Sequence, residues 1–207
     1  MNPLRRPFRY QYDNAVIYLI IINVGIFALQ YLLFPWLKYF LALTPLAVFR
    51  GWIWQFVTYM FAHDGIRHIL FNMLALFIFG TQVERHMGSR EFLLYYFITG
   101  TLSGAFSFLL YWYISPGVPL LGASGAIFAV ELAYAAFFPD SVVYIWGILP
   151  LRAPLMVMGF TALELVSSVA GRSTGVAHLT HLAGFAFGWL YFLVRFRINP
   201  WKSLFHR

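Results

Sequence analysis

Three short stretches hold the residues that could do chemistry. Ser124 stands in PLLGASGAIFAV (119–130), between Gly122 and Gly125. His178 and His181 stand in AHLTHLAGFAFG (177–188), followed by Gly184 and Gly188. His68 and Asn72 stand in HILFNMLALFIFG (68–80). A serine hydroxyl becomes a nucleophile when an adjacent imidazole takes its proton. Histidine and asparagine side chains can donate hydrogen bonds to the oxyanion of an acyl-transfer intermediate.

Each group also has a plainer reading. Gly122/Ala126 and Gly125/Ala129 are small-xxx-small pairs, which let membrane helices approach closely. Gly184 and Gly188 form a similar face, so the two segments are expected to press together. Asn72 can serve as interhelical glue. His181 and the more superficial His178 can be histidines satisfied by backbone carbonyls. The strand-borne Gly-x-Ser-x-Gly elbow does not apply, because position 126 is alanine and no strand precedes Ser124.

The elements that must position these groups follow from composition. The chain has 207 residues, 61% hydrophobic and 10% charged, with mean hydropathy +0.74. A soluble domain has roughly 45–50% apolar and about 25% charged residues. Aromatic residues reach 21%, in keeping with Trp and Tyr at membrane interfaces. With no cysteine, disulfides, thiolate nucleophiles and cysteine metal sites are excluded. The net charge of +7 fits basic flanks of membrane helices better than nucleic-acid binding.

Six apolar segments are expected to span, at about 15–34, 68–83, 91–113, 122–138, 153–170 and 176–196. The first lacks a clear small-residue cleavage site and reads as a retained helix rather than a signal peptide. Residues 35–67 carry charges, two prolines and three tryptophans, and read as a long interfacial loop between helices 1 and 2. Gly, Pro and Ser mark the joints at 113–119, 138–141 and 170–175.

With six spans, the side holding both termini carries ten Lys and Arg residues against four on the other. The positive-inside rule then makes both termini cytoplasmic. Helices 2, 4 and 6 enter from the outer side and bring His68, Asn72, Ser124, His178 and His181 to one depth. Ionisable groups in spans are functional candidates by default.

No carboxylate is expected to complete a triad. Glu131 lies seven residues past Ser124, two turns deeper, and Glu164 falls in mid-segment five. Both are assigned to structural pairing or a neutral state. The catalytic unit would then be a Ser–His dyad with its imidazole oriented by packing. A rival reading takes His63, His68, His178 and His181 as metal or haem ligands. It lacks a His-Glu-x-x-His pattern and a nearby acidic ligand, and it leaves Ser124 unexplained.

The stretches at 68–80, VERHMGS (83–89), GASGAIFA (122–129) and 177–188 together resemble the rhomboid family of intramembrane serine proteases, of the bacterial six-helix type. The likeness covers about residues 52–195. It implies an all-α, six-transmembrane-helix bundle that hydrolyses peptide bonds in membrane-helix substrates. By resemblance, Ser124 is the nucleophile and His181 the general base. His68 and Asn72 are oxyanion donors, beside the Ser124 backbone N–H. Gly122 lets the oxyanion loop turn, and Gly125 permits close packing. Phe128 stands where rhomboids often place a tyrosine stacked on the catalytic histidine. RGWIWQF (50–56) stands near the usual Trp-Arg pair of the first loop but does not reproduce it.

The expected organisation is a cytoplasmic segment 1–14, a protease domain 15–196 and a basic cytoplasmic tail 197–207. The expected setting is multi-pass in a bacterial inner membrane. Transmembrane proteins are the substrates and lipids the surroundings, with no cofactor, metal or nucleic acid. Residues 170–175 would form a lid. The other classes left open are an inactive rhomboid-like helix binder and the histidine-ligated metal or haem protein.

Overall fold

The computed structural model describes residues 7–145, 147–169 and 176–205. Among the described residues, six apolar helices form the bundle. They are α1 (Ala15–Leu33), α2 (Ile66–Met87), α3 (Ser89–Ile114), α4 (Ser124–Phe137), α5 (Ala153–Val169) and α6 (Val176–Tyr191, continued by a π turn at Phe192–Phe196). Among the described residues, α1, α2, α3 and the His178–Phe196 part of α6 are long and apolar enough to cross a membrane. The apolar helices α4 and α5 are shorter.

The helices differ from the expected segments mainly at their ends. Helix α2 starts two residues earlier and runs four further, through a π segment at Leu76–Gly80. Helix α4 begins at Ser124, so Gly122 and Ala123 belong to the preceding loop. The joint after α4 holds an unforeseen antiparallel hairpin, β1 (Val142–Ile145) with β2 (Leu149–Arg152), paired Val142↔Arg152 to Ile145↔Leu149. The expected lid at 170–175 lies outside the described residues.

The 35–67 connection folds into short helical turns at Leu37–Leu41, Pro45–Val48 and Gln55–Thr58. Its aromatic residues cluster: Trp52 stacks on Trp54, whose indole N–H donates to the Phe40 carbonyl at 3.1 Å. This region holds the loop that leads into α4. Leu43 and Leu120 exchange backbone hydrogen bonds of 2.8 Å, and the Gly122 N–H donates to the Tyr59 carbonyl at 2.9 Å. The Tyr59 hydroxyl in turn donates to the Gly100 carbonyl of α3 at 2.7 Å.

The core is the packing of α6 against α4 and α3. Small residues permit it. A Cβ placed on Gly184 would lie 2.1 Å from the Gly125 carbonyl oxygen, so these helices touch backbone to backbone. A Cβ on Gly188 would lie 3.1 Å from that of Ala129 and 2.6 Å from the Tyr95 hydroxyl. In lipid, such van der Waals contact replaces the hydrophobic drive that assembles soluble bundles. Helix α5 packs on α4 and α6 and makes at most marginal contact with α2.

The end of the bundle away from Ser124 is tied by buried acids. Glu84 accepts the N–H groups of Ala15 and Val16 at 2.6 and 3.0 Å, satisfying donors that the first turn of α1 leaves open. Glu91 takes a two-pronged hydrogen bond from Arg195 at 2.8 and 2.9 Å, and also accepts from the Tyr191 hydroxyl. The tail is partly helical at Pro200–Phe205, with Trp201 against Trp189.

Candidate functional site

Ser124 is the first residue of α4, so its N–H is among those an α-helix leaves without an internal partner. The chain arrives there through Gly122 at φ +110°, a conformation other residues rarely adopt. The position has no room either: a Cβ on Gly122 would lie 2.6 Å from Nε2 of His68. One glycine thus allows both the turn and the close approach of an imidazole.

The hydroxyl of Ser124 lies 2.7 Å from Nε2 of His181. The backbone contact of Gly125 with Gly184 brings these two side chains into range. Phe128, one turn past Ser124, stacks on the His181 ring at 4.5 Å between centroids and 8° between planes. It clamps the imidazole face without needing a hydroxyl.

His68 and Asn72 sit on α2 and line the same cavity as Ser124 and His181. The Asn72 amide donates to the His68 carbonyl at 2.8 Å, one turn back on its own helix. His68 Nδ1 faces the Asp64 N–H at 3.4 Å, and its ring packs edge-on against His63 at 5.1 Å. His63, read from sequence as a loop residue, is a buried one. Burial, helped by neighbouring His68, pushes its pKa down to about 3, so His63 is neutral at physiological pH.

The cavity measures about 740 Å³. It begins at Arg67 and His68 and runs along α2, past Ser124 and Glu131, to Tyr144 of the hairpin. Its walls come from α2, α4 and the hairpin, with Phe160 of α5 and His181 of α6. Glu131 lines it but is otherwise buried, and its Oε2 has no hydrogen-bond partner.

The expectation that no carboxylate approaches the histidines is corrected by Glu164. Its Oε2 accepts from Nδ1 of His178 at 2.6 Å, and its Oε1 lies 3.1 Å from Nδ1 of His181. The second contact has ion-pair distance but not hydrogen-bond alignment, so that nitrogen has no hydrogen-bond partner. Glu164 and His181 are each five residues from the facing ends of consecutive antiparallel helices. Equal distance from one connection puts them at one level, a signal that could have been read from the segment ends. The structure also regroups the possible metal donors. Among the described residues, Glu164, His178 and His181 offer donor atoms within 4.8 Å of one another, not the four histidines.

The Rhomboid domain profile matches residues 50–198, more than half of the chain. The chain belongs to the Rhomboid family. Among its relatives, the Haemophilus influenzae rhomboid protease GlpG is 31% identical over 136 residues, covering 66% of each protein. The Bacillus subtilis rhomboid protease GluP is 46% identical over 79 residues, covering 38% of this chain and 15% of GluP. The mitochondrial RHOMBOID-like protein 12 of Arabidopsis thaliana is 28% identical over 194 residues, covering 85% of this chain and 57% of the relative. This rhomboid chain thus spans between 15% and 66% of the length of these three proteins. Within the rhomboid domain fall His68, Asn72, Gly122, Ser124, Gly125, Phe128, His178, His181, Gly184 and Gly188. Glu164 falls there too.

Proposed function

We propose that this rhomboid protein is an intramembrane serine endopeptidase acting through Ser124 and His181. The observation that carries this is the 2.7 Å contact between Ser124 Oγ and His181 Nε2 at the wall of the cavity lined by α2, α4 and the hairpin. A substrate transmembrane helix enters there sideways. Its backbone is internally hydrogen-bonded, so it must unwind locally to present a peptide bond. Helix-weakening residues in the substrate therefore help.

His181 accepts the Ser124 proton at Nε2 while Oγ attacks the carbonyl carbon. The oxyanion sits against the Ser124 N–H, His68 and the amide of Asn72. Gly122 gives this loop its turn. The imidazolium then hands its proton to the leaving amine, and water hydrolyses the acyl-enzyme. Asn72 must turn its amide from the His68 carbonyl, or use its second N–H, to take part.

The reading places the protein in a bacterial inner membrane with both termini cytoplasmic and cleavage near the outer face. The domain is 15–196, between the terminal segments 1–14 and 197–207. Transmembrane proteins are its substrates, lipids its surroundings, and nucleic acid is no partner.

The test uses purified full-length protein, a reporter transmembrane substrate and the Ser124→Ala variant, each with and without chelator. Cleavage by the wild type alone, untouched by chelator, is the expected result. Cleavage surviving Ser124→Ala overturns the Ser–His reading. Loss on chelation favours a metal at Glu164, His178 and His181. No cleavage, with no labelling of Ser124 by a fluorophosphonate, favours an inactive helix binder. Activity should also fall toward acid pH, since a protonated base cannot accept the serine proton. A flat profile between about pH 5 and 8 counts against His181 as the base.

A further inference from the structure

We infer that Glu164 is a positioning residue for His181, held in place by His178, so that the base works as the middle member of a Ser124–His181–Glu164 line. This rests on the serine-protease reading. It replaces an imidazole held by packing alone with one held by packing and charge.

The geometry divides the carboxylate between two imidazoles. Oε2 is taken by His178 at 2.6 Å, which stops the carboxylate from swinging away. Oε1 is left 3.1 Å from Nδ1 of His181. Neutral imidazole carries one proton, on either nitrogen. A carboxylate beside Nδ1 favours the tautomer with hydrogen there. The lone pair at Nε2 then faces Ser124, the arrangement proton acceptance needs. Phe128 fixes the ring plane, and the carboxylate selects its protonation.

The charge acts in the reaction itself. When the Ser124 proton moves to Nε2, the C–O bond to the substrate forms and the ring becomes cationic. Nδ1 keeps its proton throughout, and none passes to Glu164. When the C–N bond breaks, the Nε2 proton leaves with the amine and the ring is neutral again. Glu164 therefore opposes a charge present only between these steps. Its side chain is 13% exposed and that of His181 is 20%, so water screens the pair weakly. Among the described residues, the other ionisable groups near this cluster are His68 and Glu131.

The test measures kcat and KM in vesicles for wild type, Glu164→Gln, Glu164→Asp, His178→Ala and Ser124→Ala, with thermal unfolding of each. Glu164→Gln should lower kcat by about 10- to 100-fold with KM within about twofold, the mark of an interaction made in the transition state. The loss should stay below the about 10⁴-fold seen when a triad aspartate becomes asparagine, because this contact is not aligned as a hydrogen bond. Glu164→Asp keeps the charge and should retain more kcat than Glu164→Gln. His178→Ala frees the carboxylate and should cost about threefold.

A folded Glu164→Gln with wild-type kcat overturns the proposal and leaves the Ser–His reading intact. So does a loss that appears only in KM or only alongside a lowered unfolding temperature. If Glu164→Gln does not fold, an unchanged kcat in folded His178→Ala overturns it instead. A wild type that does not cleave, or a Ser124→Ala variant that does, sinks both readings together.

Discussion

The two ends of the bundle use a carboxylate in opposite ways. At the end away from Ser124, Glu91 is fully engaged by Arg195 and Tyr191. At the site, Glu164 is shared between two imidazoles, and one of its contacts is imperfectly aligned. Guanidinium does not give up its proton in proteins, so Glu91–Arg195 is a permanent pair that locks α6 to α3. Imidazole gains and loses charge near neutral pH, so Glu164 faces a partner whose charge can change during a reaction. A satisfied network holds the fold. A less complete one, beside a cavity, leaves room for chemistry.

Four perturbations break or sharpen this contrast. At the site end, Ser124→Ala should lower kcat by about 10⁴-fold or more, read in the reporter assay. Its unfolding temperature should stay close to wild type, because the hydroxyl packs little. At the opposite end, Arg195→Met should do the reverse. It strands Glu91, and breaking a buried pair costs about 3–5 kcal/mol. Chemical unfolding should show that loss, while the kcat of the folded fraction stays near wild type. An Arg195→Met protein of unchanged stability would end the contrast.

Between the ends, Gly184→Ala tests whether helix contact is what unites Ser124 with His181. The new Cβ meets the Gly125 carbonyl at 2.1 Å, so α4 and α6 must move apart. Overpacking of this kind costs about 1–3 kcal/mol. Here kcat should fall as well, since the serine and the imidazole ride on the separated helices. Stability and kcat measured together distinguish this from a purely structural effect.

The smallest effect is expected at the surface, where Lys38 meets Asp64 at 2.6 Å. Lys38→Met should cost at most about 1 kcal/mol, because the Asp64 side chain is 65% exposed and water screens the pair. The hydrogen bond that Lys38 donates to Asp64 raises the Lys38 pKa. Its contribution is therefore fully present below the unfolded value, about 10.4, and lost as pH rises through the folded one. Wild type and variant should show the same stability difference at pH 6 and pH 8. A difference that changes between those two values would assign the effect to another group.

Much of this was legible in the residues. Long apolar runs mark the helices, since a membrane demands backbone hydrogen bonding within each segment. Glycine spacing marked α4 and α6 as neighbours because only small residues let backbones touch. The shared depth of His68, Ser124 and His181 followed from counting turns from one side. The hairpin after α4 was not legible. Gly147 stands in the short connection between VVYI and LPLR, but the proline in LPLR argues against a strand there, and the two cues conflict. Glu164 was visible as a residue but was not read as a partner. Its level has to be counted back from the connection it shares with the His181 helix, not forward from the start of its own segment.

The sequence by itself determined a membrane-spanning helical chain, the small-residue faces and the serine, histidine and asparagine groups that cluster. These are properties of composition and period, and they survive any detail of packing. Only the tertiary structure decided which atoms meet. Helix rotation and the backbone contact at Gly125 and Gly184 set Ser124 Oγ at 2.7 Å from His181 Nε2. The antiparallel packing of α5 on α6 set a carboxylate behind the same ring. A side chain's partner depends on rotations and tilts that contacts from the whole bundle fix together, and no local stretch of residues specifies them.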